Sequence, residues 1–90
     1  MTRVWRVEFD DRAERDLRGL VARDRNRIFR FLRERVGRSE DPRRLGEALT
    51  GPLKGLWRYR VGAFRILAEI RDERVTVLVV RVGNRREVYR

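Results

Sequence analysis

The feature that most limits the fold is a change of period at Leu56. Before it, apolar residues recur at three- and four-residue intervals: Ala13, Leu17 and Leu20, then Ile28, Phe29, Leu32 and Val36. That spacing gathers them on one face of a helix. After it, apolar and polar residues alternate, and residues 56–61, 64–70 and 75–82 read as three strands of a meander. Gly62-Ala63 supplies a two-residue hairpin loop, and Asp72-Glu73 marks the next turn. Residues 3–9 read as a first strand, and Asp10 or Asp11 as the N-cap of the first helix. A second helix starts at Val21 or Ala22 and ends at Gly37. Residues 39–55 hold Pro42, Gly46, Gly51, Pro52 and Gly55, so they read as a connecting loop with room for one helical turn. Residues 86–90 form a last short extended piece. The order β-α-α-β-β-β predicts an α+β domain: an N-terminal strand, a two-helix hairpin, then a mostly antiparallel sheet with both helices packed on one face. The 90 residues suffice for one such domain over 1–90, and no repeat or linker divides them.

Charge narrows the function. The chain carries 24 basic and 14 acidic residues, a net charge of +10. An excess this large in a small domain points to a polyanion, most often nucleic acid, although an Arg-rich codon bias also contributes, since Lys54 is the one lysine. The arginines of the second helix (Arg23, Arg25, Arg27, Arg30, Arg33 and Arg35) read mostly as a solvated face. Cysteine and histidine are both absent. Disulfides, thiolate nucleophiles, imidazole pairs and His-dependent triads are therefore excluded. The carboxylates show no metal-ligand clustering, and no cofactor is expected. No apolar run approaches the roughly 18 residues of a membrane span, and the first residues lack a signal-peptide core. The expectation is a cytoplasmic protein with no membrane partner.

The hairpin concentrates what remains. With Gly62-Ala63 as its loop, Val61 pairs with Phe64, Arg60 with Arg65 and Tyr59 with Ile66. Alternation then puts Arg58, Arg60 and Arg65 on one solvent-accessible face, and Trp57, Tyr59, Val61, Phe64, Ile66 and Ala68 on the face toward the helices. Like charges opposed across a strand pair are destabilising, so the arrangement reads as a site kept for an anion. The alternative is that these arginines splay into water or pair with Glu69 and other acids. Arg85 and Arg86 follow the Gly83-Asn84 turn, and Tyr89 comes four residues after Arg85, where it either joins the Arg face or packs as an ordinary edge residue. Arginine and tyrosine alone can cradle a phosphodiester, and RNA carries its own nucleophile in the 2′-hydroxyl.

Two segments carry a family resemblance. Leu56-Trp57-Arg58-Tyr59-Arg60-Val61-Gly62-Ala63-Phe64-Arg65-Ile66-Leu67 resembles the RelE toxin pattern of a basic-x-basic strand, a Gly turn and an aromatic-Arg pair. Val82-Gly83-Asn84-Arg85-Arg86-Glu87-Val88-Tyr89 resembles its closing segment. The resemblance implies a ribosome-dependent endoribonuclease of a type II toxin–antitoxin system, needing no metal, that cuts mRNA in the A site and leaves a 2′,3′-cyclic phosphate and a 5′-hydroxyl. It implies a catalytic set of Arg58, Arg60, Arg65, Arg85 and Tyr89, with Tyr89 as general base, Arg65 on the phosphate and Arg85 at the leaving group. Lys54 and Arg86 join Arg58, Arg60, Arg65 and Arg85 as expected RNA contacts. The family often has lysines where Arg58 and Arg60 stand here. The implied partners are a cognate antitoxin, the ribosome with its mRNA, and promoter DNA reached through the antitoxin complex. Two other readings share the fold or the charge: a ParE-like toxin that poisons DNA gyrase, and a non-catalytic RNA- or ribosome-binding module.

Overall fold

A computed structural model describes residues 4–84. Strand β1 (Arg6–Phe9) leads directly into helix α1 (Asp11–Arg18). Asp10 is the cap: its carboxylate accepts the Ala13 N–H at 2.9 Å, satisfying a donor that the first turn leaves without a partner. Helix α2 (Ala22–Arg30) then continues into a π-helical segment, Phe31–Val36, closed by the Gly37 N–H donating to the Leu32 carbonyl at 2.8 Å. The second helix thus spans the expected residues, but its last part is wound wider than an α-helix. Ile28, Leu32 and Val36 fall four apart and are all buried.

The sheet has the order β1-β5-β4-β3-β2. Its other strands are β2 (Glu47–Ala48), β3 (Trp57–Val61), β4 (Phe64–Arg71) and β5 (Thr76–Asn84). All pairings are antiparallel except β1 with β5, which is parallel. The hairpin register is the expected one: Val61 opposite Phe64, Arg60 opposite Arg65, Tyr59 opposite Ile66. Gly62 sits at its tip with φ +58, a left-handed turn conformation that glycine adopts without steric cost.

The stretch 39–55 is more structured than a plain connector. It contains two short 3-10 turns, Pro42–Leu45 and Gly51–Leu53, with β2 between them as an edge strand on β3. A two-residue strand shows no period, so alternation could not reveal it. Gly46 lets this stretch lie close to β3: a Cβ there would stand 2.9 Å from the Arg58 carbonyl oxygen and 2.9 Å from the Tyr59 ring. Tyr59 is fully buried, and its hydroxyl donates to the Pro42 carbonyl at 2.8 Å.

The core lies between the helices and one sheet face. Tyr59, Ile66, Ala68, Val77, Val79 and Val82 meet Ala13, Leu17, Ile28, Leu32 and Val36 there. Each fully buried aliphatic side chain of this kind contributes about 1.5–3 kcal/mol relative to exposure. Trp57 only half joins the core, with the Arg43 guanidinium 5.9 Å from its ring centre. The opposite sheet face carries Arg58, Arg60 and Arg65.

Candidate functional site

Arg58, Arg60 and Arg65 share that opposite face, as strand alternation requires, but they differ in environment. Arg58 is largely covered, its side chain 19% exposed, and it forms an ion pair with Glu47, which stands directly across from it on β2. Arg60 is exposed at the end of the hairpin. Arg65 is buried, at 8% exposure, so the expectation of a solvent-accessible Arg65 is overturned. The cause is position: β4 is the central strand, flanked by β3 and β5, while Arg60 lies on a strand with only the two-residue β2 outside it. Lys54 is exposed just after the Gly51–Leu53 turn. Arg85, Arg86 and Tyr89 lie outside the described residues.

A cleft of about 660 Å³ opens beside Arg58. The floor includes Leu67 of β4, one wall is the loop carrying Leu49, Pro52, Leu53 and Leu56, and the far side is Asp10 and Arg12 at the start of α1 with Val80 and Arg81 of β5. Three guanidinium groups, from Arg12, Arg58 and Arg81, therefore line one partly apolar depression. Arg81 is fixed by Asp16 of α1: the carboxylate accepts the Arg81 Nε–H at 3.0 Å and the Val82 backbone N–H at 2.9 Å. The second bond has a structural reason. The β1 pairing ends at Phe9 opposite Val79, so Val82 lies past the end of the neighbouring strand and its N–H needs another acceptor.

Arg81 escaped the sequence reading because simple alternation places it with the buried Val77 and Val79. The register shifts between Leu67 and Ala68, where Ala68 pairs with Val79 and Leu67 with Arg81, leaving Val80 as the extra residue of a β-bulge. The bulge turns Arg81 to the second face and Val82 into the core. No residue type in the sequence announces it. Arg12, Glu47 and Asp16 were likewise missed, since their roles depend on contacts distant in the chain.

An arginine held by one carboxylate keeps donors to spare, because the guanidinium has five N–H groups and an ion pair uses one or two. Asp16 thus fixes Arg81 in place without saturating it, and Glu47 helps to fix Arg58. Such pre-positioned forks suit phosphate oxygens, and the leucine and proline wall suits the face of a base. Tyr59 has no part in proton transfer. Burial pushes its hydroxyl well above the ordinary tyrosine range, Asp41 adds to the rise and Arg43 opposes it. Among the described residues no three His, Cys, Asp or Glu side chains gather as a metal-ligand set. None of the described helices is long and apolar enough to cross a membrane.

Comparison with known proteins agrees on one family. Residues 7–89 match the model of the ParE toxin of the type II toxin–antitoxin system parDE. The chain is 35% identical over 86 residues to Toxin RelG of Mycobacterium tuberculosis, covering 96% of this chain and 97% of that protein. Its fold is similar to one in the crystal structure of the RelBE2 toxin–antitoxin complex from Mycobacterium tuberculosis, with TM-score 0.86, 33% identity, and 94% and 95% of the two chains covered. It is also similar to the isolated E. coli RelE toxin, with TM-score 0.71, 28% identity, and 94% and 90% covered. The chain belongs to the RelE/ParE superfamily of toxins of type II toxin–antitoxin systems.

Proposed function

We propose that the protein is a ribosome-dependent mRNA endoribonuclease that inhibits translation. The observation that carries this reading is the arginine-lined cleft, in which Arg58 and Arg81 are held in place by acids on neighbouring elements. In the proposed reaction the RNA 2′-hydroxyl loses its proton to Tyr89 and attacks the adjacent phosphorus. The P–O5′ bond breaks and the leaving 5′-oxygen takes a proton from solvent water, giving a 2′,3′-cyclic phosphate and a 5′-hydroxyl. Arg58, Arg60 and Arg65 bind the phosphate and offset the extra negative charge of the transition state, and Arg85 does the same for the leaving 5′-oxygen. Arginine stays protonated throughout, so these side chains act by electrostatics and geometry rather than as proton shuttles. Lys54 and Arg86 add backbone contacts to the RNA. A tyrosine base needs its pKa lowered, which guanidinium charge beside it would do.

The partner in this reading is a cognate antitoxin with acidic or amphipathic segments that cover the basic face, and promoter DNA is reached through that complex. The similar Mycobacterium tuberculosis fold was solved as a toxin–antitoxin complex. The cell compartment is the cytoplasm, where ribosomes are. The ParE description of the matching family favours a second reading, a toxin acting on DNA gyrase. One experiment separates them. Programmed ribosomes and a gyrase supercoiling reaction each receive the purified toxin, and mRNA cleavage is mapped by primer extension. Cleavage in the A-site codon supports the nuclease. Intact mRNA together with gyrase-dependent DNA breaks supports the second reading.

A further inference from the structure

We propose that the protein has a second polyanion site, a basic dent between the second helix and the hairpin tip, that grips RNA through backbone phosphates away from the cleft. It rests on RNA being the target, and it withdraws Arg27, Arg30 and Arg35 from the solvated face to which their spacing assigned them. The dent has a volume of about 320 Å³ and is lined by Arg27, Arg30, Arg35 and Arg60, with Phe31 and Glu34 beside them. Four arginines and one glutamate thus line it.

Three observations bear on this cluster. The first is pairing. Arg27, Arg30, Arg35 and Arg60 form no ion pair with any described residue, a property they share with exposed arginines such as Arg6 and Arg74, but here four such side chains line one dent with a single carboxylate. Mutually repelling cations left without local acids are stabilised by an anion brought from outside. The second is the winding of the helix. Two α-helical turns take about 7 residues, so eight residues on from Arg27 an α-helix would carry Arg35 past the same face. The π-helical segment Phe31–Val36 takes one residue more per turn and brings Arg35 back round to Arg27. The third is Gly62. A Cβ at this position would lie 2.8 Å from Arg27 Nη1, so the Arg27 guanidinium rests against the hairpin turn. Two elements far apart in sequence are therefore shaped to bring their arginines together.

The ligand chemistry is a chain of phosphodiesters rather than an acidic protein segment. A docked amphipathic helix needs a row of apolar anchor pockets, and this dent offers only the partly buried Phe31 and the buried Val61. Phosphates need none, and guanidinium forks fit them bidentately. The dent sits at the hairpin tip, where Val61 in its lining points to the helix side and Arg60 stands on the face it shares with Arg58, while the cleft opens beside Arg58 and Leu67. A strand of RNA can thus be held at two places along one hairpin.

The test compares two triple variants of the full chain. Arg27→Gln/Arg30→Gln/Arg35→Gln empties the dent, and Arg6→Gln/Arg15→Gln/Arg74→Gln removes the same charge from exposed sites outside it. Binding of a short single-stranded RNA is titrated against salt for wild type and both variants, with thermal melting as the check on folding. Three lost phosphate contacts lower the slope of log affinity against log salt by about 2 for single-stranded RNA. The expected result is that loss in the dent variant, with the control keeping the wild-type slope. Equal slopes in the two variants, or no RNA binding by wild type, overturn the proposal. If RNA binding is unchanged but a poly-glutamate peptide binds the dent variant more weakly than the control, the dent takes an acidic protein and the RNA assignment is overturned. Wild type that shows the slope but cuts no mRNA on ribosomes overturns the nuclease reading and leaves this site standing.

Discussion

At the scale of single residues, the proposed mechanism works through arginines that neighbouring acids hold in place. Arg58→Ala deletes a fork that Glu47 already holds in place, so single-turnover cleavage on programmed ribosomes should fall about 100-fold or more, the usual effect of losing one donor to a developing anion. Retained cleavage would remove Arg58 from the mechanism. Tyr59 gives a prediction about stability alone. Tyr59→Phe leaves the Pro42 carbonyl without its donor and should lower stability by about 1–2 kcal/mol at neutral pH, read by urea unfolding. Burial raises the Tyr59 pKa in the folded state, so the folded chain holds its proton where the unfolded chain releases it. The stabilisation is therefore complete below about pH 10 and drains away above it, and the gap between wild type and Tyr59→Phe should narrow there. A gap that widens with pH would contradict the assignment. The face shared by Arg58, Arg60 and Arg65 was legible in the sequence, because alternation and a two-residue loop determine it. Their unequal exposure was not, because it depends on strand order and on an acid brought in by β2.

Secondary-structure elements show the same division. Long periodic segments announced themselves: both helices and the three later strands lie where spacing put them. The π-helical turn, the two-residue β2 and the bulge at Val80 did not, because each alters a period by a single residue or is too short to have one. These three small irregularities do most to shape the charged sites, since they reposition Arg35, Glu47 and Arg81. Asp16 joins two such elements and can be tested directly. Asp16→Ala leaves Arg81 and the Val82 N–H without an acceptor at the open flank of β5. The expected cost is about 1–3 kcal/mol in urea unfolding, with faster amide exchange at Val82. A melting curve identical to wild type, with Val82 still protected, would show that the α1–β5 tie is not needed to hold the flank.

For the whole molecule, a net charge of +10 is the setting in which both sites operate. In the proposed reading it attracts RNA at long range and would make an acidic antitoxin an effective cover. Affinity for ribosomes should consequently fall steeply as salt rises, and a flat titration would mean the charge has no part in target binding. The central claim, that the arginine face cuts RNA, has one most direct measurement. Wild type and Tyr89→Phe are mixed with programmed ribosomes under single-turnover conditions, and the mRNA ends are identified chemically. The account predicts that wild type produces a 2′,3′-cyclic phosphate and a 5′-hydroxyl at the A-site codon. It predicts that Tyr89→Phe binds ribosomes normally but cuts about 100-fold more slowly, having kept the ring and lost the base. Intact mRNA with wild type, or equal cutting by the two proteins, would contradict it.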